Sequence, residues 1–320
     1  MRIVQFKNKD SSTHVGLVED ENLRLLNEVK STYALTQMVF KTGKNLKELV
    51  EMLAGDETVS YQPLLENKQV LLPLEHPDPY RSWITGTGLT HLGSAASRDE
   101  MHQKLKISDP NELSDSMKMF QMGLKKGKML NGEPGVQPEW FYKGNGLSVV
   151  PTGHDLVSPS FALDAGEEPE LAGLYVIDPG GVPFRVGFAI GNEFSDHKME
   201  KINYLYLAHS KLRASAYGPE ILISELPDHL VGLSRIIRGD KALWEKEFLT
   251  GNAHMSHNIA NLEHHHFKYE MFRQPGDVHV HYFGTSVASF ADGIQVQNGD
   301  RFEISIPELG KPLINTLKQL

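Results

Sequence analysis

The sequence contains no cysteine, which removes disulfides, thiol nucleophiles and thiolate metal ligands together. It has no run approaching the ~20 apolar residues that a membrane-spanning helix needs. Its first residues, Met1-Arg-Ile-Val-Gln-Phe-Lys-Asn-Lys, lack the long apolar core of a signal peptide. Positive charge is in deficit: 32 Lys and Arg stand against 41 Asp and Glu, a net −9. That argues against a nucleic-acid groove and against an anionic membrane surface. It does not exclude an anionic small molecule, because one local cation pair overrides the average. No internal repeat, low-complexity tract or charged tail is present, and no G-x-S-x-G elbow for a serine nucleophile. Glycines 86, 88 and 93 lack the spacing of a dinucleotide fingerprint. These absences predict a cytoplasmic protein whose partner is a small molecule.

What is present is an ordinary globular composition, 40% hydrophobic and 23% charged over 320 residues, enough for a sizeable core. Residues 1–26 alternate as three short strands: Ile3–Phe6, Val15–Val18 and Leu23–Leu26. A helix follows over 33–54, with Leu46, Leu49, Val50 and Leu53 on one stripe. The proline-rich run Leu72–Pro79 is the best domain boundary. It divides a small N-terminal α+β domain, 1–72, from a larger domain, 80–320. The larger part reads as an amphipathic helix over 97–125, then short strands at 147–150, 171–177, 182–190, 278–283, 294–297 and 301–306. Two helices interrupt them, at about 196–211 and 256–271. Many strands and few helices predict a β-rich α+β fold, a sandwich or rolled sheet, over alternating βαβ units.

The most informative residues are Glu168-Pro169-Glu170 and, 23 positions later, Glu193. Pro169 cannot donate to a central ladder, so the triplet reads as an extended, edge-like segment. Residues i and i+2 of an extended chain share a face roughly 7 Å apart, and two carboxylates aimed together repel unless a cation lies between them. Glu193 follows Val182–Ile190, which alternates as a strand does. Three carboxylates without a thiolate make a hard oxygen site suited to Mg²⁺, Mn²⁺ or Ca²⁺. From residue type alone, three ordinary surface glutamates are the commoner reading.

The rest of the chain bears on that choice. Glu168-x-Glu170, then Asn192-Glu193-Phe194-Ser195, then Pro275-Gly276-Asp277-Val278 leading to Gly284-Thr285, then Asn298-Gly299-Asp300-Arg301-Phe302-Glu303-Ile304 resembles the fumarylacetoacetate hydrolase family. That family reads E-x-E, N-D-x-S-x-R-D, P-G-D-V-I-x-T-G-T-P and P-G-D-x-V-x-V-x-I in the same order. Pro138-Glu-Trp-Phe-Tyr-Lys143 resembles its P-x-x-F-x-K stretch, and the likeness runs from about Trp83 to Ile314. It departs in four places. Glu193 replaces an Asp, Asp196-His197 replaces the S-A-R-D ending, and Phe283-Gly284-Thr285-Ser286 stands for T-G-T-P. Ser94 stands where the hydrolases keep a His that helps to activate water. The pattern is most similar to the sugar-acid branch, whose dehydratases act on 2-keto-3-deoxy-pentonates. The resemblance implies a mixed β-sandwich roll, a homodimer, a metal on Glu168, Glu170 and Glu193, and substrate contacts from Lys143, Gly284 and Thr285.

Other residues are weighed beside these. Lys211 comes 18 positions after Glu193, where an ammonium offsets the charge left by three glutamates, a divalent ion and a 2-keto acid. Against that stands a lysine set favourably at a helix C-terminus. Arg213 is an alternative. His281, on one strand face with His279, and His91, after the Gly-rich turn, are each as plausible near a substrate as in the scaffold. His264–His266 and the pair His254 and His257 read as helix surface, without zinc spacing. Ser195 reads first as a helix N-cap. The function expected is a metal-dependent lyase that dehydrates a 2-keto-3-deoxy sugar acid to a semialdehyde. Lys211 would stabilise the enolate, and His91 or a metal-bound water would take the proton. The alternatives are hydrolysis or decarboxylation of β-diketo acids, and non-catalytic binding of a sugar acid.

Overall fold

The computed structural model describes residues 1–92 and 115–320. The calls on Ser94 and on residues 97–114 therefore lie outside the described residues. Three strands open the chain, β1 (Arg2–Lys7), β2 (Thr13–Glu19) and β3 (Asn22–Leu26). Helices α1 (Thr32–Thr42) and α2 (Leu46–Leu53) follow. Ser31 and Asn45 cap them by accepting from Ala34 and Lys47 N–H, and Gly43 ends α1 at φ +67°. All four apolar residues of the α2 stripe are buried. Next come β4 (Ala54–Ser60), α3 (Tyr61–Glu66) and β5 (Ser82–Gly86). The helix expected near 97–125 is seen as α4 over Asp115–Lys126.

The rest of the chain is mostly strand: β6 (Phe141–Asn145), β7 (Val149–Val150), β8 (Asp155–Ser158), β9 (Pro169–Ile177) and β10 (Pro183–Asn192). The helix expected over 196–211 is broken into α5 (His197–Ile202), a 3₁₀ turn and α6 (Leu207–Lys211). Then come β11 (Ser215–Leu222), β12 (Leu230–Arg238), β13 (Lys241–Thr250), α7 (Ile259–Phe267), β14 (Val278–Tyr282), β15 (Arg301–Ser305) and β16 (Leu313–Gln319). Residues 294–297, expected as a strand, are irregular.

The strands form two sheets. Among the described residues one has 11 strands, in the order β4-β3-β2-β1-β11-β10-β9-β14-β5-β6 with β7 beside β11, and the other has five, β13-β12-β15-β16-β8. Leu171, Tyr175, Phe188 and Ile190 on one face of the large sheet pack against Ile236, Trp244, Phe302 and Ile304 of the small one. Its other face buries Ala172, Leu174 and Val176 with Leu35, Val39, Leu49 and Val50 of α1 and α2. The architecture is thus a β-rich α+β fold of three layers, with helices on one side of the large sheet and the small sheet on the other.

Strand β9 is buried along its whole length between β10 and β14. The expectation of an edge segment at Glu168–Glu170 is therefore corrected: Pro169 is the first residue of a central strand, a place where proline is tolerated. The N-terminal segment is sheet-continuous with the remainder, because β1 pairs antiparallel with β11, Arg2 opposite Leu222 and Ile3 opposite Ile221. Among the described residues no helix is long and apolar enough to cross a membrane.

Candidate functional site

The site forms where β9 begins and β10 ends. Gly191 lies opposite Glu170 and Asn192 opposite Pro169. One step further, Glu193 N–H donates to the Glu168 carbonyl at 3.0 Å. This pairing brings one carboxylate oxygen each of Glu168, Glu170 and Glu193 within 4.8 Å of one another. The Asn192 side chain accepts from Glu168 N–H at 3.3 Å and Phe194 N–H at 3.2 Å, which fixes the two chain segments to each other.

Two buried lysines meet the carboxylates. Lys211 Nζ lies 2.6 Å from both Glu168 Oε1 and Glu193 Oε2, with its ammonium 4.9 Å from the centre of the Phe141 ring. Lys143 Nζ lies 2.6 Å from Glu193 Oε1 and donates to the carbonyls of Phe194 and Lys211 at 2.6 and 3.0 Å. His197 Nε2 sits 3.0 Å from Glu168 Oε1, and its Nδ1 is 3.4 Å from Asp164 Oδ2. Glu170 is treated differently: Gly284 N–H donates to its Oε2 at 2.7 Å. Gly284 adopts φ +91°, and a Cβ there would meet Thr90 Oγ1 at 2.1 Å, so only glycine lets this amide reach the carboxylate.

Charge follows from these contacts. Burial opposes ionisation of Glu168, but Lys211 and His197 outweigh it and hold the carboxyl well below its usual range. Burial and Glu168 push Glu193 up to about 7, against the pull of Lys143 and Lys211. Glu170 is pushed well up by burial and by Glu193 and Glu168. Burial works against the Lys211 charge, yet Glu168 and Glu193 hold it well above the ordinary lysine value. Burial lowers Lys143. For His197, burial is outweighed by Asp164 and Glu168, and it is raised to about 10. Three converging hard-oxygen donors, one of them crowded by like charge, fit Mg²⁺ or Mn²⁺, with Ca²⁺ as a stand-in.

Residues absent from the sequence reading complete the site. Glu139 precedes β6; its carboxylate accepts a hydrogen bond from Tyr204 Oη and packs on Gly88. Burial raises it, while Tyr204 and Lys211 pull it down. Its place within the Pro138–Lys143 stretch was the signal that could have found it. Glu167, next to the triad, is spent on structure, accepting from Ser289 N–H and Oγ at 2.7 Å each. Ser195 donates to Glu193 at 3.1 Å, and Asp196 is the residue that caps α5. The cap thus falls one residue after the expected Ser195.

The remaining candidates bond to residues other than the three carboxylates. His91 is buried with Nε2 2.8 Å from Thr250 Oγ1 and Nδ1 3.0 Å from Thr90 Oγ1, and burial lowers it to about 3. His281 Nδ1 is 2.8 Å from Thr85 Oγ1 and its ring stacks on His266 at 4.6 Å. Thr285 is half-buried and bonded within its own turn to Val287. Arg213 pairs with Asp196 at 2.8 Å. His257 and His266, expected on a helix surface, are buried, because His257 packs against Gly123 of α4 and His266 against His279 of β14.

No protein-family model matches the chain, and no curated protein matches it in sequence. Solved structures do. The chain aligns over 100% of its length with 99% of a 2-keto-3-deoxy-D-arabinonate dehydratase in its apo form, at TM-score 0.72 and 19% identity. The same coverage and identity, at TM-score 0.71, hold for that dehydratase complexed with magnesium and 2,5-dioxopentanoate. A 5-carboxymethyl-2-hydroxymuconate delta-isomerase from Mycobacterium smegmatis aligns over all of both chains at TM-score 0.61 and 14% identity. What these likenesses establish is a shared fold over the whole chain, the fumarylacetoacetate-hydrolase-like one.

Proposed function

We propose that this chain is a metal-dependent hydro-lyase that dehydrates a 2-keto-3-deoxy sugar acid to a 2-oxo acid semialdehyde. The observation that carries the reading is the convergence of Glu168, Glu170 and Glu193 with a protonated Lys211 bridging two of them. Glu168, Glu170 and Glu193 would hold Mg²⁺ or Mn²⁺, which when bound supplies Lewis acidity to the substrate's ketone and so acidifies C3–H. Lys211, held charged and dry, is suited to stabilise the oxyanion of the enolate and not to act as a base. Lys143 keeps Glu193 oriented and balances its charge.

Glu139 is the proton carrier in this reading. Burial raises its carboxyl, which strengthens the carboxylate as a base. It takes the C3 proton and returns it to the C4 hydroxyl; the C4–O bond breaks and water leaves a C3=C4 enone, whose C5 proton shifts to C3 to give the C4=C5 enol that tautomerises to the aldehyde. His91 is not needed, since both its ring nitrogens are occupied by threonine hydroxyls.

The test is incubation of the full chain with 2-keto-3-deoxy-arabinonate and Mg²⁺. A 2-oxo acid aldehyde without C–C cleavage fragments is expected, and a chelator should stop its formation. Cleavage of acylpyruvates together with inertness towards the sugar acid would overturn the reading. By the resemblance in its sequence the enzyme would be a homodimer, which light scattering would measure.

A further inference from the structure

Glu139 lies just before β6, in which Phe141 and Lys143 are both buried while Tyr142 between them is exposed. Lys143 reaches Glu193, Phe141 lies under the Lys211 ammonium, and Glu139 opens onto a cavity of about 570 Å³. Leu207, one helical turn before Lys211 in α6, lines the same cavity. Glu139 therefore stands between the Lys211 and Glu168 charges, which act on its carboxyl, and this space. Its walls are mainly apolar: Met119, Pro138, Trp140, Leu207, Met271 and Phe272. The indole N–H of Trp140 is already committed to His266 Nδ1 at 3.2 Å. Its ring lies 5.6 Å from that of Phe272, so the two present carbon faces to whatever enters.

The volume falls within the range of pockets that enclose ligands much larger than five carbons, and hydroxyls placed against these walls would lose their water partners without replacement. Resting on the dehydratase reading of the head group, we propose that the site takes 4-hydroxy-2-oxo acids whose chain beyond C4 carries an apolar, preferably aryl, tail. The 2-oxo acid head lies at the carboxylates, C3 and C4 lie beside Glu139, and the tail fills the cavity. The elimination is unchanged: the C3–H and C4–O bonds break, and one water leaves.

Binding to the full-length protein with Mg²⁺ would be measured by calorimetry for two unreactive probes, 2-oxopentanoate and 2-oxo-6-phenylhexanoate. The tailed probe should bind at least about tenfold more tightly. Leu207→Ala and Met271→Glu should each bring the ratio of the two affinities towards one, and Met271 is exposed enough for its variant to fold. Glu168→Gln should weaken both probes, which separates site binding from nonspecific adhesion. Equal affinities overturn the tail proposal and leave the head reading standing. Loss of both probes from the wild-type protein overturns both. The dehydration assay with the sugar acid tests the head reading alone.

Discussion

Two clusters of buried titratable groups lie along β9 and β14, and they are built on opposite principles. At the start of β9, Glu168, Glu170 and Glu193 are crowded together and answered by Lys143, Lys211 and His197. Further along, His266, His279 and His281 are packed without a counter-charge among the described residues. His266 Nε2 lies 3.0 Å from His279 Nδ1, and His266 stacks on His281 and Phe272 at 4.6 and 4.9 Å. Burial lowers His279 and His281 to about 3 and His266 well below its usual value. The first cluster keeps its charge in the dry interior by pairing; the second gives its charge up and behaves as aromatic core. Charge retained against burial makes the first cluster the candidate for chemistry, and histidine content alone does not do so for the second.

The largest effect expected is at Glu170, the carboxylate without a cation contact among the described residues. Glu170→Gln removes one metal ligand and relieves like-charge repulsion. Metal affinity should fall by about a hundredfold or more, while the metal-free protein becomes about 1–2 kcal/mol more stable. Titration calorimetry and thermal melts would check the two halves, and a metal-free protein that loses stability would break the account of Glu170 as crowded.

Lys211→Ala comes next. It should lower kcat by about 10²–10³-fold with a smaller effect on KM, because the ammonium answers charge that develops in the transition state. It also leaves Glu168 and Glu193 short of a buried partner, at a cost of about 3–5 kcal/mol. Added Mg²⁺ should restore most of that stability; a change in KM alone would remove Lys211 from the mechanism.

Much of the carboxylate cluster was legible in the sequence. The alternation of 182–190 located the end of β10 and Pro169 marked an extended start, which made Glu168, Glu170 and Glu193 candidates, and the resemblance of the surrounding motifs set them together. Lys211 followed from charge balance. What was not legible is non-local. Nothing in Ile3 or Ile221 announces that they pair across more than two hundred residues, so the join between the N-terminal strands and the large sheet went unseen. Pro169 looked like an edge because the ladder on either side of it is set by β10 and β14. His266 is buried while His264 is exposed, a consequence of about 100° of rotation per residue that a run of three histidines conceals. Glu139 and Tyr204 lie 65 residues apart and meet only in the fold.

The comparison is sharpened by His197, the one histidine that belongs to the charged cluster. Held by Asp164 and Glu168 and stacked on Phe290 at 5.1 Å, it orients a proposed ligand from behind. His197→Asn should reduce metal affinity about tenfold, less than loss of a ligand, and lower the melting temperature of the apo protein, because Glu168 loses a buried charged partner. An unaltered metal affinity would demote His197 to packing.

The smallest effect is expected in the neutral cluster, and its sign distinguishes it from the charged one. Above about pH 6.5 the three histidines are uncharged in both folded and unfolded chains, so they contribute no pH dependence. Below that, the unfolded chain takes up protons that the folded chain refuses until about pH 3. The unfolded state then binds more protons, and stability falls as pH falls from about 6.5 towards 4, by at most about 1.4 kcal/mol per pH unit for each histidine. His281→Asn, which keeps a polar group for Thr85, should flatten that slope by up to one such increment while leaving metal affinity untouched. Denaturant unfolding at pH 7 and pH 5 for the two proteins would show it. If the slopes are the same, His281 is already charged in the folded state, and the contrast between a paired cluster and a neutralised one fails at its second half.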